Sequence, residues 1–115
     1  YTGFVPDDSL QALYKNAQVY VQPSSEEGFG LPILEAFANN CPVVTSDIPT
    51  LKEIGSNAAL YFKTYDIEDM VDKIENVLED EKLRRQLIEN GKKRVKDFSW
   101  EKLAKQTLEV YKKCV

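Results

Sequence analysis

The chain has 115 residues and a formal charge of −4, a length suited to one core that buries roughly two thirds of the extended chain's surface. Its acidic balance offers no broad basic face, so neither a nucleic-acid backbone nor an anionic membrane is an expected partner. Histidine is absent and Cys41 stands far from Cys114, which excludes an imidazole base and a CxxC-type zinc cluster and makes a reduced, cytoplasmic protein the default expectation.

In chain order, Tyr1-Thr2-Gly3-Phe4-Val5 looks like the end of a strand, so a strand is expected near residues 1–4 and the sequence is expected to be a piece of something longer. No apolar run approaches the roughly 20 residues that span a bilayer, and no signal-peptide pattern opens the chain. Leu10, Leu13, Tyr14 and Ala17 then follow helical spacing, with Asp7 or Asp8 as the expected cap. Val19 to Pro23 and Cys41 to Asp47 are short apolar runs that read as strands near residues 19–22 and 42–46, and Ala59 to Phe62 is a weaker third. Between the first two, Ile33, Leu34, Phe37 and Ala38 mark a helix behind Pro32, a residue suited to a first helical turn because its missing N–H would be unpaired there.

The second half is helical. Asp66 is placed to cap a run carrying Ile67, Met70, Val71, Ile74 and Leu78, while Leu83, Leu87 and Val95 mark another helix. After Ser99, the residues Trp100, Leu103, Ala104, Thr107, Leu108 and Tyr111 form one stripe, which reads as a core face, with the charged residues as solvated faces. Strands alternating with helices up to Ser46, followed by a helical tail, predict an α/β fold with a small parallel sheet. Such sheets bind ligands beyond the carboxyl ends of their strands.

The segment Ser24 to Leu31 falls at that edge. Gly28 and Gly30 allow close backbone approach or a positive φ, and the helix that starts near Leu31 and Pro32 directs amide N–H groups outward, a site for an anion such as phosphate. Glu27 lies in the loop and Glu35, eight positions later, about one turn into the helix. Two readings stay open: electrostatic capping of the helix start, or ionised acceptors that take hydrogen bonds from hydroxyls while the amides meet phosphate, as a sugar nucleotide would require. Ser24 and Ser25 are read as caps of the loop.

Glu27-Gly28-Phe29-Gly30-Leu31-Pro32, then Leu34-Glu35-Ala36 and Pro42-Val43-Val44, resembles the E-x7-E signature of retaining GT-B glycosyltransferases of the group 1 family, which includes glycogen synthases and many mannosyltransferases. The likeness extends to GFVPDDSLQALYKNA before it and to LKEIGSNAALYF and FSWEKLAKQTLEVY after it. The resemblance implies a partial Rossmann-like domain, residues 1–115, the nucleotide-sugar-binding C-terminal half of such an enzyme. It implies that Glu35 holds the ribose hydroxyls and that Glu27, the catalytic candidate, contacts the donor sugar. By the same likeness Gly28, Phe29, Gly30 and Leu31 form the turn that meets sugar and distal phosphate, and the Val5 backbone meets the base, mere strand-end packing being the alternative for Val5. Asn40 stands where the family usually has glycine, and asparagine is the next-best left-handed cap.

The reaction so implied moves a sugar from a UDP-, GDP- or ADP-linked donor to an acceptor hydroxyl with retention, in polysaccharide or glycoconjugate synthesis. No metal and no other cofactor is called for. The acceptor glycan or lipid would be held by an N-terminal domain that is missing here, along with the family's basic phosphate-gripping residues. The resemblance also implies that the closing helix returns toward that domain, which would leave part of the packing surface of Trp100 and Tyr111 missing. It implies too that the full-length enzyme is cytoplasmic, with peripheral membrane association as an option. Two rival expectations are a non-catalytic sugar-nucleotide-binding module and a fragment whose exposed domain face is covered by a second copy as a homodimer.

Overall fold

In the computed structural model, which describes residues 1–113, three parallel strands form one sheet in the order β1-β2-β3: β1 (Tyr20–Gln22), β2 (Val43–Ser46) and β3 (Ala59–Phe62). Tyr20 pairs with Val43, and Val43 with Ala59. Helices α1 (Asp7–Asn16), α2 (Leu31–Ala38) and α3 (Pro49–Gly55) precede β3, and α4 (Ile67–Glu79), α5 (Glu81–Val95) and α6 (Trp100–Lys113) follow it. The α/β class and the parallel pairing agree with the sequence expectation.

The period of two along each strand splits the core. Val43 joins Ile33, Phe37, Leu51 and Ile54 on one face of the sheet, while its neighbour Val44 joins Phe62, Val77 and Leu87 on the other. All four residues of β2 are buried, as expected of the central strand of a parallel sheet covered on both sides. Helix α5 reaches across to α2 because Gly91 has no side chain: a Cβ there would lie 3.0 Å from Phe37 Cδ1.

The caps explain the helix limits. Asp66 accepts from the Asp69 amide (3.0 Å), Asp80 from that of Leu83 (2.9 Å) and Ser99 Oγ from that of Lys102 (3.1 Å). At the end of α2, Asn40 takes the left-handed conformation (φ 59°). The Cys41 amide then donates to Ala36 O (2.9 Å) and the Asn40 amide to Phe37 O (3.1 Å), the pair of bonds that closes a Schellman turn.

Three expectations are corrected. Residues 1–4 form no strand: no neighbouring strand among the described residues supplies their ladder partners, and an isolated strand has nothing to offset its ordering cost. The cap of α1 is Pro6, whose carbonyl accepts from Leu10 N (2.9 Å), and Asp7 and Asp8 sit inside the first turn, where the helix dipole favours them. The stripe of α6 is not core: Trp100 is 80% and Tyr111 66% exposed, and no residue of that helix is buried.

Candidate donor-binding site

Where β1 ends, backbone and side chains are tied to β2. Thr45 Oγ1 donates to Gln22 O (3.1 Å) and Ser46 Oγ donates to Ser24 O, so the two hydroxyls at the end of β2 hold the chain as it leaves the sheet. The loop then runs to Gly30, the residue before α2, with φ +94°. Only glycine suits this position twice over: the left-handed conformation disfavours a side chain, and a Cβ would stand 2.8 Å from Leu51 Cδ2. Gly28 has no such constraint, since a Cβ there would meet no protein atom within 4 Å.

Glu27 is half-buried in this loop. Its Oε1 accepts from Gln22 Nε2 and from Ser24 Oγ (2.8 Å). Gln22 Oε1 in turn accepts from the Tyr20 hydroxyl (3.0 Å). Glu35, on the first full turn of α2, accepts on Oε2 from the Tyr14 hydroxyl (3.2 Å) of α1. The Tyr14 and Tyr20 rings meet edge to face with centroids 5.4 Å apart. One continuous chain of contacts, Glu27–Gln22–Tyr20–Tyr14–Glu35, therefore joins the two acids. Burial, followed by the charges of Glu27 and Glu35, pushes the Tyr20 phenol above its usual value. Burial dominates at Tyr14 too, with Tyr20 and Glu35 adding to it. Both phenols stay protonated and act as donors at neutral pH.

Phe29 is 48% exposed, with its ring edge to face on Phe98 at 6.0 Å. Behind Phe98 lies the Arg94 guanidinium, 4.7 Å from the ring centroid. All its nitrogens are engaged: Nε donates to Ile54 O (2.9 Å), Nη2 to Glu53 O (2.6 Å) and Nη1 to Asp97 (2.9 Å). The end of α3 and the tail of α5 thus brace the turn, and Leu31 begins α2 exposed beside it. Ile33 N donates back to Gly30 O (3.1 Å), and Pro32 contributes no N–H.

Of the residues singled out from sequence, Glu27, Phe29, Gly30, Leu31 and Glu35 fall on this loop and the start of α2, at the carboxyl edge of the sheet. Val5 falls elsewhere, in an open depression of about 630 Å³ that it lines with Thr2, Ser9, Leu13 and Ala17. Ser24 serves Glu27, and among the described residues no side-chain hydrogen bond involves Ser25. Gln22, Tyr14 and Tyr20 were not singled out, because a glutamine in a strand and tyrosines at core spacing carry no local signal of a polar partner. Among the described residues, no group of three or more acids, histidines or cysteines is arranged to hold a metal ion, and no helix is long and apolar enough to cross a membrane.

Residues 1–94 match the family described as Glycosyl transferases group 1. The chain belongs to that family. It is 40% identical over 112 residues to the O-antigen chain mannosyltransferase B of Escherichia coli, covering 97% of this chain and 29% of the relative. With the MMP alpha-(1->4)-mannosyltransferase of Mycolicibacterium hassiacum the identity is 34%, over 95% of this chain and 28% of that protein. The solved structure of sucrose-phosphate synthase from Thermosynechococcus elongatus superposes with a TM-score of 0.85 at 32% identity, over 98% of this chain and 29% of that one. This group 1 chain thus spans less than a third of the relatives it resembles, and the sheet with its flanking helices is that of the C-terminal domain of the GT-B fold.

Proposed function

We propose that this chain is the donor-binding part of a retaining glycosyltransferase, which moves a hexose from a nucleotide-sugar to an acceptor hydroxyl in polysaccharide or glycoconjugate synthesis. The observation that carries the reading is the linked pair of carboxylates flanking the Gly30 turn. Each acid spends one oxygen on protein donors, Oε1 of Glu27 and Oε2 of Glu35, and keeps the other for a ligand hydroxyl. Simple capping of α2 would not require a buried glutamine and two tyrosines to aim them. In this reading Glu35 takes the ribose hydroxyls, Glu27 the sugar hydroxyls, and the turn Gly28 to Leu31 the sugar and distal phosphate through its amides. The nucleotidyl leaving group departs with help from these fixed dipoles, and the acceptor attacks from the same face. No metal enters this scheme.

Acceptor binding and exclusion of water fall to a second domain, so the 115-residue chain alone should not transfer sugar. Its nucleotide affinity should be no tighter than about millimolar, since an exposed helix start contributes only about 0.3–1 kcal/mol to anion binding. Calorimetry with UDP, GDP and ADP tests this; micromolar binding or retaining transfer by the chain alone would overturn it. In the complete enzyme, Glu35→Ala should weaken nucleotide binding by about tenfold to a hundredfold through loss of charge-assisted bonds, and Glu27→Ala should lower turnover with nucleotide affinity little changed. Negligible and equal effects of the two would favour helix capping.

A further inference from the structure

Gln22 is 5% exposed, and a buried amide must satisfy both of its ends. Its orientation follows from its partners. The Glu27 carboxylate only accepts, so Nε2–H must face it, and the single Tyr20 phenol hydrogen is then aimed at Gln22 Oε1. Tyr20 and Gln22 stand two apart on β1, hence on one face of the strand, and the pairing of Tyr20 with Val43 and Gln22 with Thr45 fixes where that face lies. Ser24 Oγ supplies a second donor to the same oxygen, Glu27 Oε1. Both lone pairs of Oε1 are thereby used, and among the described residues no donor reaches Oε2.

We infer that Gln22 is a positioning residue for Glu27: with Ser24 it locks the carboxylate plane before substrate arrives, so that Oε2 is the oxygen presented to the donor sugar. The inference rests on the reading of Glu27 as the donor-facing acid. Without the two donors on Oε1 the carboxylate would rotate among rotamers and offer either oxygen, and the sugar's binding energy would be spent on ordering it. Tyr20 has a subsidiary part, since its phenol hydrogen holds the amide in the orientation that faces Nε2 toward Glu27.

The test is a double-mutant cycle in the complete enzyme, with kcat and donor KM measured for Gln22→Met, Glu27→Ala and the double variant, and Tyr20→Phe as a milder change that keeps the ring. Gln22→Met retains length and volume while removing the amide. It should lower kcat by about tenfold to a hundredfold, the scale of a catalytic group displaced by about an ångström, with donor KM within about threefold, and Tyr20→Phe should lower kcat a few-fold. The double variant should be no slower than Glu27→Ala, because a positioning residue has nothing left to position. Losses that add independently, or Gln22→Met and Tyr20→Phe at wild-type kcat beside an impaired Glu27→Ala, would overturn the role of Gln22 while leaving that of Glu27 standing. An unimpaired Glu27→Ala would remove the reading of Glu27 and this inference with it. Should Gln22→Met fail to accumulate as folded protein, Tyr20→Phe and its combination with Glu27→Ala decide the matter by the same criterion.

Discussion

Helices α2 and α6 carry apolar stripes of the same kind and meet opposite fates. In α2, Ile33, Ala36 and Phe37 are buried against the sheet and α5. In α6, Trp100, Leu103, Leu108 and Tyr111 lie at helical spacing and stay exposed. Periodicity thus predicts which face a helix will bury but not whether its cover is present. Spacing does not separate the two, since each stripe satisfies the 3.6-residue rule; composition does, because Glu35 is the single charged residue of α2 whereas α6 is charged at six of its fourteen positions.

Mutations on either side of the contrast should differ by an order of magnitude in free energy. Phe37→Ala should destabilise the chain by roughly 3–5 kcal/mol, as expected for emptying a buried aromatic position, read by urea unfolding. Gly91→Ala comes next. The added methyl would press on the Phe37 ring, at an overpacking cost of about 1–3 kcal/mol, offset in part by a gain near 1 kcal/mol in helix propensity. A stabilised variant would show that α5 can slide away from α2. Asp66→Ala removes the cap of α4 and should cost about 1 kcal/mol, visible as a lower melting temperature with unchanged fold by circular dichroism.

Alkali tests the packed region by another route. Burial pushes the Cys41 thiol up from 9.0 to about 11, so the folded state holds its proton more tightly than the unfolded chain does. The associated stability is complete below pH 9 and declines as the pH rises toward 11. Melting curves across that window should fall for the wild type and fall less steeply for Cys41→Ala, which starts from a lower baseline; parallel slopes would contradict the assignment. The smallest effect is expected at α6. In this chain Trp100→Ala should change stability by no more than about 0.5 kcal/mol, and a loss comparable to that of Phe37→Ala would mean that α6 is covered in solution.

Much of the architecture was legible because it is written in short-range chemistry. Asp66 read as a cap, Asn40 as a left-handed turn, and the runs near residues 19–22 and 42–46 as parallel strands, all at single positions or over a few residues. Features that depend on distant partners were not legible. Among the described residues, Tyr1 to Phe4 has strand composition but no adjacent strand, and the α6 stripe has core spacing but no opposing surface. The same divide runs through the site. Glu27, Gly30 and Glu35 stood out through a local motif, whereas Gln22 and Tyr14 owe their place to contacts across 5 and 21 residues of sequence, and a buried hydrogen bond leaves no mark on hydrophobic periodicity.

The central position of β2 also fixes how the molecule opens. Its amides lie between two parallel neighbours and beneath side chains on both faces, so a solvent hydroxide reaches them only when the whole sheet separates. In native-state hydrogen exchange, Val44 and Thr45 should therefore exchange at the rate set by global unfolding and respond to urea with its full slope, while the amides of α6 exchange by local fraying that urea scarcely alters. The slowest protons of the chain then act as a built-in gauge of its total stability, readable without ever denaturing the sample.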